Sequence, residues 1–222
     1  MHYSWDFGTV FAYRALFLRG FVLTLLYTAG TVATGLVIGL AAGCARAFGN
    51  RLVAAPFRVY IEVFRCTPLL VQLIWMYYAL PVLIGASLSP GEASFLTLML
   101  YTGAFYAEIF RGGIAAVDRG QWEAGFATGM MPLTVFRRIV LPQAVRVMIP
   151  SFINQTVTQL KNTSLVSTIA VADLMYQGTT ITGQTYRPLE VYTTVAVLYF
   201  VMLFPITTLA EYAERKLGAH AA

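Results

Sequence analysis

The chain has 222 residues, of which 58% are apolar or aromatic and 11% charged, with a net charge of +5. Soluble domains carry about 25% charged residues, so this chain cannot cover a soluble surface, and it is too apolar to be disordered. An integral membrane protein remains. Its basic balance, with Lys161 and Lys216 the only lysines among fifteen cations, marks one membrane face and not a nucleic-acid partner.

Along the chain, gaps between charges place the spans, because about 20 apolar residues cross the hydrocarbon. The first 19 residues contain Asp6, Arg14 and Arg19 with no small-residue cleavage site, so the first apolar run is expected to act as a signal-anchor. Span 1 covers 20–45, and its Gly30, Thr34, Gly35, Gly39 and Gly43 favour close helix approach. Next, Arg51, Arg58, Glu62 and Arg65 fall on one helical face that Gln72 extends. That face is either the wet side of an interfacial helix or a stripe toward a partner or path.

Span 2 covers 66–85 and span 3 covers 93–110. The pattern Y-x-E-x-F-R occurs at 60–65 and again at 106–111, on antiparallel segments of similar depth. Crossed pairs Arg65–Glu108 and Glu62–Arg111 could clamp the two helices. The alternative is that each Glu pairs within its own helix at i,i+3.

A hydrophilic loop, 111–147, follows. Gln121–Thr128 is predicted as a short helix stopped by Gly129, and Met131-Pro132 starts a second helix that ends at Leu141-Pro142. A short helix lying across the membrane surface suits docking into a groove on a soluble partner. Span 4, residues 150–172, is anomalous: twelve of its 23 residues are polar. Such a helix must be surrounded by protein or line water, and Lys161 within it is a functional candidate. Its alternatives are snorkelling or a structural bond to a carbonyl. Span 5 covers 191–210, with a kink expected at Pro205.

With the 111–147 loop inside, eleven Lys and Arg lie on the cytoplasmic side against three outside. The expectation is therefore a single all-α polytopic membrane domain over 1–222, with about five spans, an external N-terminus and a cytoplasmic C-terminus. Five spans with a polar-lined helix need a second wall, which predicts a dimer.

Several chemistries are excluded. Neither lysine follows a Gly, so there is no P-loop and any ATP is bound by another chain. His2 and His220 lie at the two ends, and Cys44 and Cys66 lack metal-ligand spacing. No catalytic set, metal site or cofactor is expected. A passive channel built from polar helices is the rival class.

Residues 119–142 contain Glu123-Ala124-Gly125, then Gly129, then Ile139-Val140-Leu141-Pro142. This loop resembles the E-A-A signature of ABC-importer permease subunits, with Gly125 in place of the second Ala. G-F-V-L-T-L at 20–25, F-R-C-T-P-L-L-V-Q at 64–72, A-E-I-F-R-G-G-I at 107–114, L-P-Q-A at 141–144 and L-K-N-T-S-L-V-S at 160–167 look like the polar amino-acid uptake branch. Many relatives have Gly at Cys66 and Asp at Asn162. The resemblance implies a multi-pass permease of the bacterial inner membrane. It pairs with itself or a sister permease, with two ATP-binding cassette subunits, and with an extracytoplasmic amino-acid-binding protein. It also implies alternating access, with Glu123, Ala124, Gly125, Gly129, Ile139, Leu141 and Pro142 coupling to the ATPase. Lys161, Asn162, Thr163 and Ser164 become candidates for the substrate path, the alternative being helix–helix hydrogen bonding.

Overall fold

The computed structural model describes residues 3–218, with side chains through Tyr212. His2, His220 and the side chains of Arg215 and Lys216 fall outside these limits. Ten α-helices follow in order: α1 Phe7–Ala12, α2 Arg14–Phe48, α3 Arg51–Cys66, α4 Leu69–Ile84, α5 Pro90–Ala115, α6 Arg119–Ala127, α7 Pro132–Val135, α8 Leu141–Asn162, α9 Leu174–Thr185 and α10 Pro188–Gly218. No strand occurs among the described residues.

The helices α2, α5 and α10 are long and apolar enough to cross a membrane, and the bent pair α3–α4 makes a possible fourth span. The bend, 111°, falls at Thr67-Pro68, where Pro has no N–H to continue the ladder. Gln72 relieves this break: its Nε2 donates to the carbonyls of Phe64 and Thr67, each at 3.0 Å. The expected start of span 2 at residue 66 falls on the last residue of α3, and the apolar helix α4 begins only at Leu69; the charged stripe before it is the separate arm α3.

The frame of the bundle is α2 packed along α5. A Cβ on Gly35 would lie 2.9 Å from Thr102, on Gly39 2.5 Å from the Tyr106 Cβ, and on Gly43 2.9 Å from the Phe110 Cβ. Every fourth residue of α2 is therefore small so that α5 can approach, the use to which G-x-x-x-G patterns are put in membranes. Here the pattern joins two helices of one chain.

Two expectations about span 4 are corrected. First, Pro142 does not stop a helix. Phe136–Val140 form a π turn that runs without interruption from α7 into α8. The Leu141 N–H bonds the Phe136 carbonyl five residues back, and the wider turn makes room for the Pro142 ring, which would otherwise strike the carbonyl four residues earlier. α8 itself therefore begins nine residues before the predicted start of span 4, and the continuous helical path begins earlier still, at Pro132.

Second, it ends early. After Asn162 the chain tightens into a 3₁₀ helix, Thr163–Ile169, and leaves it at Ala170 with φ 63°. The hydroxyls of Thr163, Ser164, Ser167 and Thr168 each donate, at 2.7 Å, to the carbonyl three residues back. These short-range bonds compete with α-helical pairing and favour the tighter winding. α9, which lies between the predicted spans 4 and 5, follows, capped by Asp173 through the Tyr176 N–H at 2.9 Å.

At the end opposite α6, the N-terminal segment is strapped to the start of α10. Tyr3 and the Asp6 N–H both bond the buried Glu190 carboxylate, and Arg187 bonds Glu190 and the Ser4 carbonyl. Asp6 caps α1, and the Thr9 hydroxyl and N–H hold its carboxyl below the usual range.

Candidate functional site: a surface helix joined to a polar helix

α6 is a short helix with a defined start and stop. The Asp118 carboxylate accepts from the Gly120 N–H at 2.6 Å. At the other end, Gly129 has φ 77°, its N–H bonds Phe126 and the Met130 N–H bonds Gly125. That pair of bonds is a Schellman stop, and the left-handed residue in it favours Gly.

The helix has two faces. Glu123, Ala124 and Ala127 are exposed, with Phe126 47% exposed beside them. On the inner side Gly125 is buried. A Cβ there would lie 2.8 Å from both Val135 methyl groups and 3.1 Å from Ile139 Cδ1. The departure from Ala at this position thus matches a branched Val135 opposite it. Trp122, Ile139 and Phe136 close a cluster with Val135, Val140, Ala144 and Met148. Gln143 adds bonds to Gln121 at 3.2 Å and to the Ile139 carbonyl at 2.9 Å. Leu141 is half-buried and Pro142 exposed. α6 is therefore fastened to the π turn and, through it, to α8.

α8 divides its polar residues between two faces. The inner ones bond within the bundle: Gln159 donates to Thr31 at 3.0 Å, and Thr156 bonds Tyr106 at 2.8 Å. The outer ones, Ser151, Asn154, Thr158 and Lys161, are exposed and spaced three or four apart, so they form one stripe. Lys161 makes no ion pair among the described residues. Asn162 is half-buried next to Tyr101, and Ser164 is half-buried. Thr163 is fully buried with its hydroxyl on Leu160, so it faces the bundle and not the stripe.

The expected ion pairs are rearranged. Arg65 lies 3.6 Å from Glu108, and Arg111 lies 3.0 Å from the same carboxylate at i,i+3. Arg46 also pairs with Glu108. Glu62 instead accepts from the Cys66 thiol at 3.5 Å, and no Glu62–Arg111 pair forms among the described residues. Glu108 alone is the hub. Arg46 was read in the sequence only as a topology marker; the signal was there, since the seam Gly35, Gly39, Gly43 continued by one turn arrives at Arg46 opposite Glu108. A second residue missed is Asp173, 1% exposed, which also receives the Tyr199 hydroxyl at 3.4 Å. Nothing in its local sequence distinguishes it from an exposed helix cap.

Known proteins resemble this chain in sequence and fold. The family model for binding-protein-dependent transport system inner membrane components matches residues 35–219. The glutamine transport system permease protein of Escherichia coli is 36% identical over 215 residues, 96% of this chain and 98% of that one. The octopine transport system permease protein of Rhizobium meliloti is 38% identical over 208 residues, 90% and 85% of the two chains. Among solved structures, an amino acid ABC transporter crystallised with histidines superposes with a TM-score of 0.90 at 34% identity, covering 96% of this chain and all of that one. An inward-facing methionine ABC transporter has the same fold, with a TM-score of 0.78 at 22% identity, 93% and 98% covered. The chain belongs to the family of binding-protein-dependent transport system inner membrane components, and it is a transport permease subunit of the inner membrane.

Proposed function

We propose that this permease imports a polar amino acid, glutamine being the first to test, by ATP-driven alternating access. The α6 end faces the cytoplasm, and the start of α1 faces outward. Two ATP-binding cassette subunits dock on Glu123 and the exposed face of α6, an extracytoplasmic binding protein delivers the substrate, and a second permease, identical or sister, covers the polar stripe of α8. The observation that carries this reading is the mechanical continuity of α6 with α8. Gly125 seats α6 against Val135 and Ile139, and the π turn carries any displacement into the helix whose outer stripe is polar. Rigid packed elements transmit such shifts. The permease performs no covalent step. Lys161, Asn162 and Ser164 border the path, whereas Thr163 is buried with its hydroxyl on the Leu160 carbonyl.

The test uses the reconstituted transporter with its ATPase and binding protein. Glu123→Ala should reduce ATP-driven uptake at least tenfold and weaken copurification of the ATPase, with the permease still folded. Unchanged assembly and uptake would count against coupling through α6 and favour a passive facilitator.

A further inference from the structure

A cavity of about 370 Å³ opens between α5 and α8, lined by Arg65, Phe105, Glu108, Met148, Ser151 and Gln155 among others. That volume lies within the range of small-molecule sites. Three guanidinium groups, of Arg46, Arg65 and Arg111, share the single Glu108 carboxylate, so two positive charges are left without a counter-charge in the cluster. A lone carboxylate would satisfy one Arg; three cations around it leave the site attractive to a further anion. Arg65 is the cation of this cluster that lines the cavity. It is 36% exposed there and lies with its guanidinium over the Phe105 ring. On the opposite wall, Gln155 Nε2 is buried and has no hydrogen-bond partner. A buried amide donor without an acceptor is costly, and it points to an acceptor supplied from outside the chain.

The position matters as much as the charge. Ser151, which lines the cavity, is the first residue of the exposed polar stripe that runs along α8 through Thr158 to Lys161. A solute following that stripe toward α6 arrives between Arg65 and Gln155.

We propose that this cavity is a carboxylate site on the release side of the path. Arg65 and Gln155 hold the carboxylate of the transported amino acid in the nucleotide-free state, before it leaves toward the α6 end. Phe105 and Met148 exclude water from one side of it, and a guanidinium with an amide donor matches the acceptor-only chemistry of a carboxylate. The proposal rests on the amino-acid import reading above, and it adds a site separate from Lys161 and Asn162.

The test is equilibrium binding to the nucleotide-free transporter, permease with ATPase, in nanodiscs. Radiolabelled L-glutamine is the first probe, followed by the other nineteen standard amino acids, to identify what the wild type binds. For glutamine, 4-aminobutanamide is the matched competitor without the carboxylate. Arg65→Gln and Gln155→Leu should each weaken binding of the amino acid at least tenfold, with Arg65→Lys losing less. The decarboxylated competitor should be weak against the wild type and no weaker against either variant. Gln155→Leu leaves the Glu108 cluster intact, so it separates loss of the ligand contact from loss of the fold, and copurification of the ATPase checks assembly. Wild-type affinity in the Gln155→Leu variant, or equal competition by the decarboxylated analogue, overturns the site while leaving import standing. A wild-type complex that binds none of the twenty amino acids overturns the import reading and this site with it.

Discussion

α2 and α8 are both long helices packed on α5, and they are held there by different means. α2 meets α5 through glycines at every fourth position, with backbone nearly against side chain. α8 meets its neighbours through larger groups: the Tyr106–Thr156 and Gln159–Thr31 bonds and the Met148 and Phe152 side chains. In lipid no hydrophobic gain accompanies helix association, so close van der Waals packing must supply it, with hydrogen bonds adding a little. The first seam is intolerant of added volume. The second has one equally tight point, where a Cβ on Gly113 would run into Met148 Cγ, and it can be polar on its outer side because a protein wall, not lipid, is expected to cover that side.

Three substitutions probe this contrast. The largest effect is expected from Gly39→Leu, since even a Cβ would sit 2.5 Å from Tyr106. Overpacking of this kind costs about 3 kcal/mol or more, and the variant should be lost from the monodisperse fraction in detergent size-exclusion. A normal yield would mean that α2 and α5 can separate cheaply. Next comes Gly125→Ala, which places a methyl group 2.8 Å from both Val135 methyls. It should cost about 1–2 kcal/mol and lower coupled uptake several-fold, and the double variant with Val135→Ala should recover most of it. Absence of that rescue would remove the steric link between α6 and the π turn. The smallest effect is expected from Gln159→Leu. Interhelical hydrogen bonds in membranes average about 0.6 kcal/mol, and the Gln159 Oε1 atom is itself without a partner. Thermal stability in detergent should change by only a degree or two. A loss as large as that of Gly39→Leu would erase the distinction between the two seams.

Much of this organisation was legible in the residues. The uncharged runs located α2, α5 and α10 because burying a charge in hydrocarbon is costly. The small residues of α2 announced a close contact, although not with which helix. The stop at Gly129 was readable because a left-handed residue there favours Gly. Pro142 misled, because a proline signals a helix end unless the preceding turn widens, and a π turn has no simple signature of its own. The run Thr163–Ile169 looked like the second half of a span; its hydroxyls could as well have pointed outward, and only their observed bonds to carbonyls three residues back select the 3₁₀ path. Of the four path candidates, periodicity alone could not say that Thr163 turns inward, because the helix tightens at that residue.

The sequence by itself determined the solvent and located the three long apolar helices α2, α5 and α10, since both follow from local composition: a chain with 11% charge has to bury its surface in lipid, and long uncharged runs are what can cross it. It also determined the surface helix α6, whose cap, stop and exposed acid are local signals. The tertiary structure alone decided which charges meet. Glu108 had two sequence-plausible partners, and the fold gathers three arginines around it from α2, α3 and α5. That choice depends on the close approach of α2 to α5 and on the 111° bend after α3, neither of which any single segment specifies. Electrostatic pairing falls off within a few ångströms, so a difference of one helical turn in how segments pack turns a topology marker such as Arg46 into a member of an ion cluster.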